Sequence, residues 1–340
     1  MIKIAIVGAT GYAGEELLKI LARHSQADIV SVSAKIDSPQ KIGAIFPELG
    51  GKIDLVCAAP DFPQIVPSCD VAFLALPHRA SMQIAPIFLQ ANKKVIDLSA
   101  DYRLKDALVY EKWYSTKHTS FTYVKEAVYG LPEINRSKIK TARLIANPGC
   151  YPTGTILGCL PFLSAKDIVD SERIIVDAKS GLSGAGREKE AELFGQMREN
   201  FRAYKVDAHQ HSPEINQVLS EFSGKKIEVT FTPHLIPIKR GILSTIYFQL
   251  KKKITPEQAQ SIYETFYKNE PCVQVLPPGE FPQLKDVTMT NYCRIGLKIN
   301  TERKTAIIIS AIDNLLKGAS GQAVQNMNIM YGLKETEGLV

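Results

Sequence analysis

The sequence of 340 residues lacks long apolar runs, since the longest, such as Val71–Leu76, have only the length of a strand. A membrane-spanning helix needs about 20 apolar residues, so we expect no membrane partner. The first residues, Met1–Val7, already have the pattern of a core strand rather than of a secretory or transit segment, so we expect a cytoplasmic location, with a processed organellar segment as the alternative.

Neither sign of charge dominates, because 41 Lys and Arg residues stand against 35 Asp and Glu residues. The run Lys251–Lys253 ends an alternating strand, and we interpret it as a solvated strand end rather than a nucleic-acid contact. We therefore expect no nucleic-acid partner, and a small anionic ligand suits the mildly basic surface better.

The six cysteines form no CxxC pair and no dense framework, which argues against a disulfide scaffold. In a cytoplasmic chain we expect reduced thiols, with room for one catalytic nucleophile.

The first half of the chain alternates strand-like and helical stretches, which is typical of a parallel sheet covered by helices on both faces. The predicted strands are Lys3–Val7, Ile29–Val32, Val71–Leu76, Lys94–Asp97 and Arg143–Ala146. The predicted helices between them include Glu15–Ala22 and Met82–Gln90.

The second half has several consecutive strands and few helices, which predicts an α+β domain built on a mixed or antiparallel sheet. Its strands are predicted at Arg173–Ala178, Lys226–Pro233, Gly241–Leu250, Tyr292–Asn300 and Thr305–Ile312. The whole is thus an α/β protein. We place residues 1–149 and 314–340 in the first domain and residues 150–313 in the second. A last helix, from Leu315 to about Tyr331, is expected to pack on the first domain.

A glycine-rich turn separates the first predicted strand from the first predicted helix, which is the setting of a dinucleotide-binding Rossmann domain. Gly8 would make the sharp turn, Gly11 would let the backbone approach a pyrophosphate, and Gly14 would allow close helix–strand packing. A purely structural turn is the alternative. The candidate cofactor-binding residues here are Gly8, Thr10, Gly11, Tyr12, Ala13 and Gly14.

The end of the second strand indicates which nicotinamide cofactor binds. An NAD enzyme usually has an acidic residue there to hold the ribose 2′-hydroxyl, whereas this chain offers Ser33 and Lys35 and no acid before Asp37. A hydroxyl and a lysine suit a 2′-phosphate, so we predict NADP. The alternative is that Lys35 is only a solvated loop residue.

Cys150 follows a buried strand and precedes the apolar stretch Thr155–Leu163. Pro152 suits the first turn of a helix, which would place Cys150 beside the helix N-terminus. The helix dipole there favours a thiolate, so we predict that Cys150 is a nucleophile. An inert packed thiol is the alternative.

His209 and His211 form a histidine cluster ahead of Ser212 and Pro213, which predict a helix with Ser212 as its N-cap. His211 would then lie at a loop tip, with Glu214 within reach to orient its imidazole. A metal site and a structural histidine pair are the alternatives. We expect no metal, because the cluster offers no further clear ligand set.

Two further loops follow predicted strands. The backbone N–H groups and hydroxyls of Ser180–Arg187 would bind a carbonyl or a phosphate, with a flexible turn as the alternative. The loop Asp97–Arg103 lies where open α/β sheets bind ligands, and Arg103 would pair with a phosphate.

Nine motifs, in order and spanning nearly the whole chain, resemble those of the N-acetyl-gamma-glutamyl-phosphate reductases. They are GATGYAGEEL (8–17), LPHRAS (76–81), DLSADYR (97–103), YGLPEINR (129–136), NPGCYPT (147–153), SGLSGAGR (180–187), HQHSPEI (209–215), FTPHLIPIKRGI (231–242) and DNLLKGASGQAVQN (313–326). The related aspartate-semialdehyde dehydrogenases usually have Asn-Cys-x-Thr at the cysteine, which this chain lacks.

The resemblance implies the family's roles for particular residues. Its nucleophile falls on Cys150, its proton-transfer histidine on His211, its nicotinamide-side asparagine on Asn314 and its phosphate-side arginine on Arg103. Glu214 is predicted to assist His211. The remaining predicted cofactor-binding residues are Pro77, Ser180 and Gly181, and the remaining predicted substrate-binding residues are Ser99, Asn147, Ser183 and His209.

The resemblance also implies an activity. It is the NADPH-dependent reduction of N-acetyl-glutamyl 5-phosphate to N-acetyl-glutamate 5-semialdehyde and phosphate, through a cysteine thioester, in arginine biosynthesis. A homo-oligomer, dimer or tetramer, is expected as well. The same chemistry on an aminoadipyl or aspartyl phosphate is one alternative. A non-catalytic NADP-binding sensor is another, although such a sensor needs neither Cys150 nor His211.

Overall fold

The computed structural model describes residues 1–165, 167–197 and 199–339, which form two compact units. Unit 1 comprises residues 1–149 and the segment from Ala319 onward, and unit 2 comprises residues 150–318. None of the described helices is both long and apolar enough to cross a membrane.

Unit 1 is built on a sheet of six parallel strands in the order β2-β1-β5-β6-β8-β7. The strands of unit 1, including a separate short pair β3–β4, are β1 (Ile2–Val7), β2 (Ala27–Ser33), β3 (Gln40–Lys41), β4 (Val56–Cys57), β5 (Val71–Leu74), β6 (Lys94–Asp97), β7 (Val128–Tyr129) and β8 (Leu144–Ala146). The central strands are apolar almost without interruption, as expected for a parallel sheet with both faces covered. The strand order reverses at β1, so the crevice beside its carboxyl end is the place where such sheets bind ligands.

The helices of unit 1 up to residue 149 are α1 (Tyr12–Leu21), α2 (Ile42–Ile45), α3 (Phe62–Ser68), α4 (Ser81–Gln90), α5 (Ala107–Tyr114) and α6 (Pro132–Ile139), with 3₁₀ turns at Pro47–Leu49 and Phe121–Lys125. The predicted helices correspond to α1 and α4. Short helices such as α5 were not predicted, since their apolar pattern is brief. The N-cap of α5, Asp106, accepts hydrogen bonds from the N–H groups of Leu108 and Val109.

Unit 2 is built on a mixed sheet of seven strands in the order β10-β11-β9-β12-β15-β14-β13. These strands are β9 (Val169–Ser180), β10 (Arg202–Ala203), β11 (Thr230–Leu235), β12 (Ile242–Leu250), β13 (Val273–Val275), β14 (Cys293–Asn300) and β15 (Thr305–Ile312). The pairs β11–β9 and β13–β14 are parallel and the other neighbours are antiparallel. The fold class predicted from the sequence is confirmed.

The helices of unit 2 are α7 (Cys150–Ser164), α8 (Arg187–Met197), α9 (Ser212–Ser223) and α10 (Pro256–Tyr267), with 3₁₀ turns at Leu182–Ala185 and Leu284–Asp286. Helix α7 is buried along nearly its whole length and lies against the sheet, where Gly158 lets the helix approach Ile246. A Cβ atom at Gly158 would lie 2.4 Å from Ile246 Cδ1. Cys150 is therefore the first residue of a helix whose position the core fixes.

The last helix, α11 (Ser320–Met330), belongs to unit 1 and packs on α1. It begins at Ser320 rather than at Leu315 as predicted. The reason is that the Asp313 carboxylate accepts the N–H groups of Leu315 and Leu316, at 2.8 and 3.1 Å, which holds those residues in a turn.

Candidate functional site

The glycine turn of unit 1 requires glycine at two positions for reasons internal to the protein. Gly8 has φ +96°, and a Cβ atom there would lie 2.2 Å from the carbonyl oxygen of Ala75. At Gly14 a Cβ atom would lie 2.3 Å from the carbonyl oxygen of Gly8. Gly8 thus makes the turn, and Gly14 lets α1 pack closely on the backbone of Gly8 and Ala9, while contacts of both glycines with a cofactor stay predictions.

Gly11 differs, because the protein itself does not need a glycine there. Its φ of −72° suits any residue, and a Cβ atom would meet only the Gly8 carbonyl oxygen, at 3.7 Å. Gly11 precedes α1, whose first-turn N–H groups have no intrahelical acceptor. An open surface beside a helix N-terminus suits a phosphate group.

Two residues at the end of β2 were predicted to select the cofactor. Ser33 is buried, its carbonyl oxygen holds the N–H groups of Gly8 and Ala9, and its hydroxyl has no hydrogen-bond partner among the described residues. Lys35 is exposed, as a residue that contacts a soluble ligand at a rim would be. Pro77 is exposed in the turn after β5, and Thr10, Tyr12 and Ala13 are half-buried.

The loop after β6 is a buried polar network rather than an open site. The Ser99 hydroxyl donates to Asp97 Oδ2 at 2.8 Å and accepts the Asp101 N–H at 3.1 Å. Asp101 in turn accepts the Tyr110 hydroxyl at 2.7 Å. Burial, together with the charge of Asp101, raises the pKa of Asp97 above its usual range. Ser99 is fully buried and bonded inside unit 1, and its contact with substrate stays a prediction.

Asn147 is likewise committed to the protein interior. Its amide donates to the Ala319 carbonyl at 3.0 Å and accepts from Asn326 at 3.1 Å, and the residue is fully buried. Its predicted contact with substrate stays a prediction as well. Arg103 is buried and donates to the carbonyl oxygens of Asn147, at 2.7 Å, and of Leu98, at 2.8 Å. A phosphate contact by Arg103 stays a prediction.

The predicted nucleophile lies in unit 2 as the first residue of α7. All six cysteines are among the described residues, and Cys150 alone is partly exposed while the other five are buried. Burial raises the pKa of the Cys57, Cys69 and Cys159 thiols. At the N-terminus of α7 the helix dipole instead favours the thiolate of Cys150.

The predicted proton-transfer residue, His211, is the N-cap of α9, one residue earlier than the predicted cap at Ser212. Glu214 lies in the first turn of the helix and is buried. His209 does not point away from His211, as an extended segment would require. The chain turns here, with the Ser212 N–H on the His209 carbonyl, and the two imidazole rings lie 4.8 Å apart.

Two tyrosines that the sequence did not single out complete this cluster. Tyr151 packs edge-on against His209 and His211, with ring centroids 5.3 and 6.0 Å apart. The Tyr204 hydroxyl lies 3.1 Å from the Tyr151 hydroxyl and 3.4 Å from His209 Nε2. Tyr151 could have been predicted to lie near the site because it follows Cys150 directly in the sequence. Tyr204 could not, because it lies in an irregular segment with no distinctive sequence pattern.

The loop after β9 is filled by the protein's own backbone. The N–H groups of Gly181, Leu182 and Ser183 donate to the carbonyl oxygens of residues 241, 238 and 239 at 2.9–3.0 Å. These three N–H groups are thus already paired, and ligand contacts by Ser180 and Gly181 stay predictions. The Ser180 hydroxyl donates to the Gly181 carbonyl at 2.9 Å.

Asn314 ties this loop to the segment before β12. Its Oδ1 accepts the Gly241 N–H at 2.7 Å and its Nδ2 donates to the Ser183 hydroxyl at 3.0 Å. Next to it, the buried Asp313 carboxylate receives two hydrogen bonds from Arg240, at 3.0 and 3.1 Å. A contact between Asn314 and nicotinamide stays a prediction, as does a substrate contact by Ser183.

No group of three or more potential metal ligands occurs within residues 1–165, 167–197 and 199–339. The His209–His211 pair is instead surrounded by aromatic rings, including Phe231 at 5.6 Å from His209.

Comparisons with known proteins match both units to one family. Residues 3–142 match the NAD binding domain of semialdehyde dehydrogenases, and residues 150–314 match their dimerisation domain. An N-acetyl-gamma-glutamyl-phosphate reductase of Pelotomaculum thermopropionicum is 48% identical over 99% of this chain and 97% of its own. One from Geobacter sp. (strain M21) is 49% identical over 100% of this chain and 98% of its own.

Solved structures support the fold alone. Aspartate semialdehyde dehydrogenase II from Vibrio cholerae, in complex with ASA, has a TM-score of 0.73 at 18% identity, covering 98% of both chains. Aspartate semialdehyde dehydrogenase with NADP from Candida albicans has a TM-score of 0.71 at 15% identity, covering 97% of this chain and 98% of that one.

Proposed function

Since this chain belongs to the N-acetyl-gamma-glutamyl-phosphate reductase family, we propose that it reduces N-acetyl-glutamyl 5-phosphate to the 5-semialdehyde, with release of phosphate, in cytoplasmic arginine biosynthesis. The observation that carries the proposal is the environment of Cys150. It is the one partly exposed thiol among the six, and it begins a buried helix next to the segment that bears His211.

The cofactor that the reaction needs is NADPH, and the residues of unit 1 fit it. The open surface at Gly11 and the N-terminus of α1 suit a pyrophosphate. The buried Ser33 hydroxyl, without a partner among the described residues, and the exposed Lys35 suit a ribose 2′-phosphate. When bound, NADPH supplies the hydride of the reaction.

Cys150 performs the first step. Its thiolate attacks the carbonyl carbon of the acyl phosphate, an S–C bond forms, and the C–O bond to phosphate breaks with phosphate leaving. The product is a thioester on Cys150. The N-terminus of α7 favours the thiolate needed for this attack.

His211 handles the proton of the second step. Reduction of the thioester carbonyl gives a thiohemiacetal oxyanion on Cys150, which His211 protonates. The thiohemiacetal then collapses to the aldehyde: its hydroxyl proton returns to His211, the S–C bond breaks and Cys150 leaves as the thiolate. Glu214, buried in the first turn of α9, is proposed to favour the imidazolium form.

The deciding experiment measures phosphate-dependent reduction of NADP by the purified protein, with N-acetyl-glutamate semialdehyde and aspartate semialdehyde as competing substrates. We expect activity with the N-acetylated substrate and at least about 100-fold lower kcat/KM with aspartate semialdehyde, because a site that binds the acetyl amide leaves polar groups unpaired without it. Preference for aspartate semialdehyde, or for an aminoadipate semialdehyde, would assign the substrate differently. Absence of any turnover with NADP binding intact would favour the sensor alternative.

Unit 2 matches a dimerisation domain, and the open face of its sheet suits a second copy. Residues of β12 alternate between buried and partly exposed. On the exposed side Tyr247 is 39% exposed and its neighbour on β9, Ile175, is 48% exposed. We propose that this face pairs two copies. Replacing Ile175 by Asp should convert the oligomer to monomers in sedimentation velocity, whereas Asp at the similarly exposed Val56 of unit 1 should not.

A further inference from the structure

One hydrogen-bond chain in unit 2 has a defined direction, which the position of a single proton fixes. The His211 backbone N–H points at His209 Nδ1, with 3.1 Å between the nitrogens. Because an N–H can only donate, Nδ1 must be the acceptor and carry no proton. The imidazole of His209 is then the neutral tautomer with its proton on Nε2.

The proton on His209 Nε2 determines the direction of the remaining hydrogen bonds in the chain. His209 Nε2–H donates to the Tyr204 hydroxyl at 3.4 Å, which leaves the Tyr204 proton to donate to the Tyr151 hydroxyl at 3.1 Å. The Tyr151 hydroxyl donates to the carbonyl oxygen of His234 on β11 at 3.3 Å. Each hydroxyl accepts from one neighbour and donates to the next, and a backbone carbonyl ends the chain.

Neither tyrosine is suited to give up its proton. Burial is the main cause that raises the pKa of Tyr151 and Tyr204 well above the usual range, and the nearby Cys150 adds to it. Both hydroxyls therefore remain protonated while the enzyme works. Their chemistry is limited to fixing the geometry of their neighbours.

That geometry reaches His211 in two ways. His209 holds the His211 backbone through the N–H bond, and the His209 and Tyr151 rings pack against the His211 ring at 4.8 and 6.0 Å. A charged His209 would place a second positive charge beside His211 when His211 is an imidazolium, and it would also lose the acceptor for the His211 N–H.

We propose that Tyr204 and Tyr151 are positioning residues that hold His209 as its neutral Nε2–H tautomer and thereby hold His211 in place for proton transfer. The proposal rests on the proposed function of His211. The Tyr204 hydroxyl acts on His209 directly, and the Tyr151 hydroxyl acts through Tyr204.

The first test is kinetic. Tyr204→Phe removes only the hydroxyl, and we expect kcat to fall about tenfold, the net worth of one neutral hydrogen bond. The KM of the acyl phosphate should stay within about twofold, because the lost contact aligns a proton-transfer group and does not touch the substrate. The matched control is Tyr263→Phe, since Tyr263 of unit 2 likewise donates its hydroxyl proton within the protein, to the Gly158 carbonyl at 2.6 Å, and lies outside this hydrogen-bond chain. Equal kcat values for the two variants would overturn the proposal.

A double-mutant cycle tests the order of the chain. Because Tyr151 acts through Tyr204, Tyr151→Phe should lower kcat less than Tyr204→Phe does, and the double variant should lose no more than Tyr204→Phe alone. If the fold-losses in kcat of the two single variants multiplied in the double variant, the two hydroxyls would have independent roles, which would contradict the proposed hydrogen-bond chain.

The third test needs no turnover. In ¹⁵N-labelled protein, the His209 signals, identified by their disappearance in His209→Asn, should be those of the neutral Nε2–H tautomer. A proton on Nδ1 would overturn the inference even in an active enzyme. If the unmodified protein proves inactive with every semialdehyde, the proposed function fails. The tautomer of His209 would still show whether the hydrogen-bond chain has the direction proposed for it.

Discussion

The two units prepare for ligands in opposite ways. The proposed cofactor surface of unit 1 is backbone, and its key property at Gly11 is the absence of a side chain in a space that the protein leaves open. The proposed reaction centre of unit 2 consists of side chains, with Cys150 and His211 each at the start of a helix. The glycine loop of unit 2, at Gly181, resembles that of unit 1 in sequence, but its backbone N–H groups already donate to backbone carbonyl oxygens of unit 2.

This difference determines how each unit can be broken. In unit 2, removing atoms from a side chain should stop the chemistry and leave cofactor binding intact. In unit 1, replacing a glycine by a residue with a side chain should block cofactor binding and leave the Cys150 thiol reactive. Variants of the two kinds therefore test whether unit 1 binds the cofactor and unit 2 carries out the chemistry.

The largest effect is expected from Cys150→Ala. The thiol makes the covalent bond to the acyl group, so turnover should be abolished. NADPH affinity, measured by fluorescence titration, should stay within a few-fold, because unit 1 binds the cofactor. Substantial residual turnover would contradict a thioester mechanism.

Alkylation of the unmodified protein supplies the control for Cys150. Iodoacetamide at mildly alkaline pH should label Cys150 before the other cysteines, since those five are buried and burial raises the thiol pKa of three of them. Peptide mass spectrometry identifies the labelled site. Preferential labelling of Cys57 or Cys159 would show that the thiol environments described here are wrong.

The second largest effect concerns His211 in unit 2. His211→Asn should lower kcat about 100- to 10,000-fold, the usual range for losing a general acid–base. Steady-state kinetics should show a much smaller change in KM, because the imidazole acts on a charge that develops after binding.

Neighbouring variants sharpen this prediction. His209→Asn should be milder, because the amide oxygen of Asn can replace Nδ1 as acceptor for the His211 N–H. Glu214→Gln should fall between the two, because it removes the buried carboxyl group that we propose assists His211. A severe loss in His209→Asn with a normal His211→Asn would reverse the two roles, and equal losses with loss of a bound metal would revive a metal site.

The sequence predicted the fold class well because both sheets have clear periodicities. Near-continuous apolar strands such as Val71–Leu74 indicate a parallel sheet, and the alternation along Ile242–Leu250 indicates one with a single buried face. The helix starts beside Cys150 and His211 could be predicted from Pro152, Ser212 and Pro213, whereas the chemical roles of these two residues stay predictions. The pairing of Ser99 and Asn147 within unit 1 could not be predicted, because a motif does not reveal whether its polar atoms are already bonded inside the fold.

The third effect tests the backbone surface of unit 1. Gly11→Val should weaken NADPH binding about 10- to 100-fold, because the new side chain would keep the phosphates from the N–H groups of the turn. Its melting temperature should barely change, since the Gly11 backbone conformation suits any residue and its Cβ meets only one atom within 4 Å. Cys150 alkylation should proceed at the normal rate.

Gly14→Val is the matched contrast to Gly11→Val. Its Cβ would lie 2.3 Å from the Gly8 carbonyl oxygen, so this variant should lose stability as well as NADPH binding. Unchanged NADPH affinity in Gly11→Val would show that the cofactor does not approach this turn.

The smallest effect concerns the choice between NADPH and NADH. Lys35 is exposed, and an exposed ion pair is worth at most about 1 kcal/mol, so Lys35→Gln should lower the preference for NADPH only about fivefold. Lys35→Glu adds repulsion of the 2′-phosphate and should lower it by roughly twice that factor.

Ser33→Ala should lower the preference more than Lys35→Gln, because the Ser33 hydroxyl is buried and a hydrogen bond from it to a phosphate is less screened by water. The measurement is the ratio of kcat/KM values for the two cofactors. Equal use of NADH by the unmodified protein would show that the end of β2 does not select the cofactor, and a ratio unaffected by Lys35→Glu would leave Lys35 as an ordinary solvated residue.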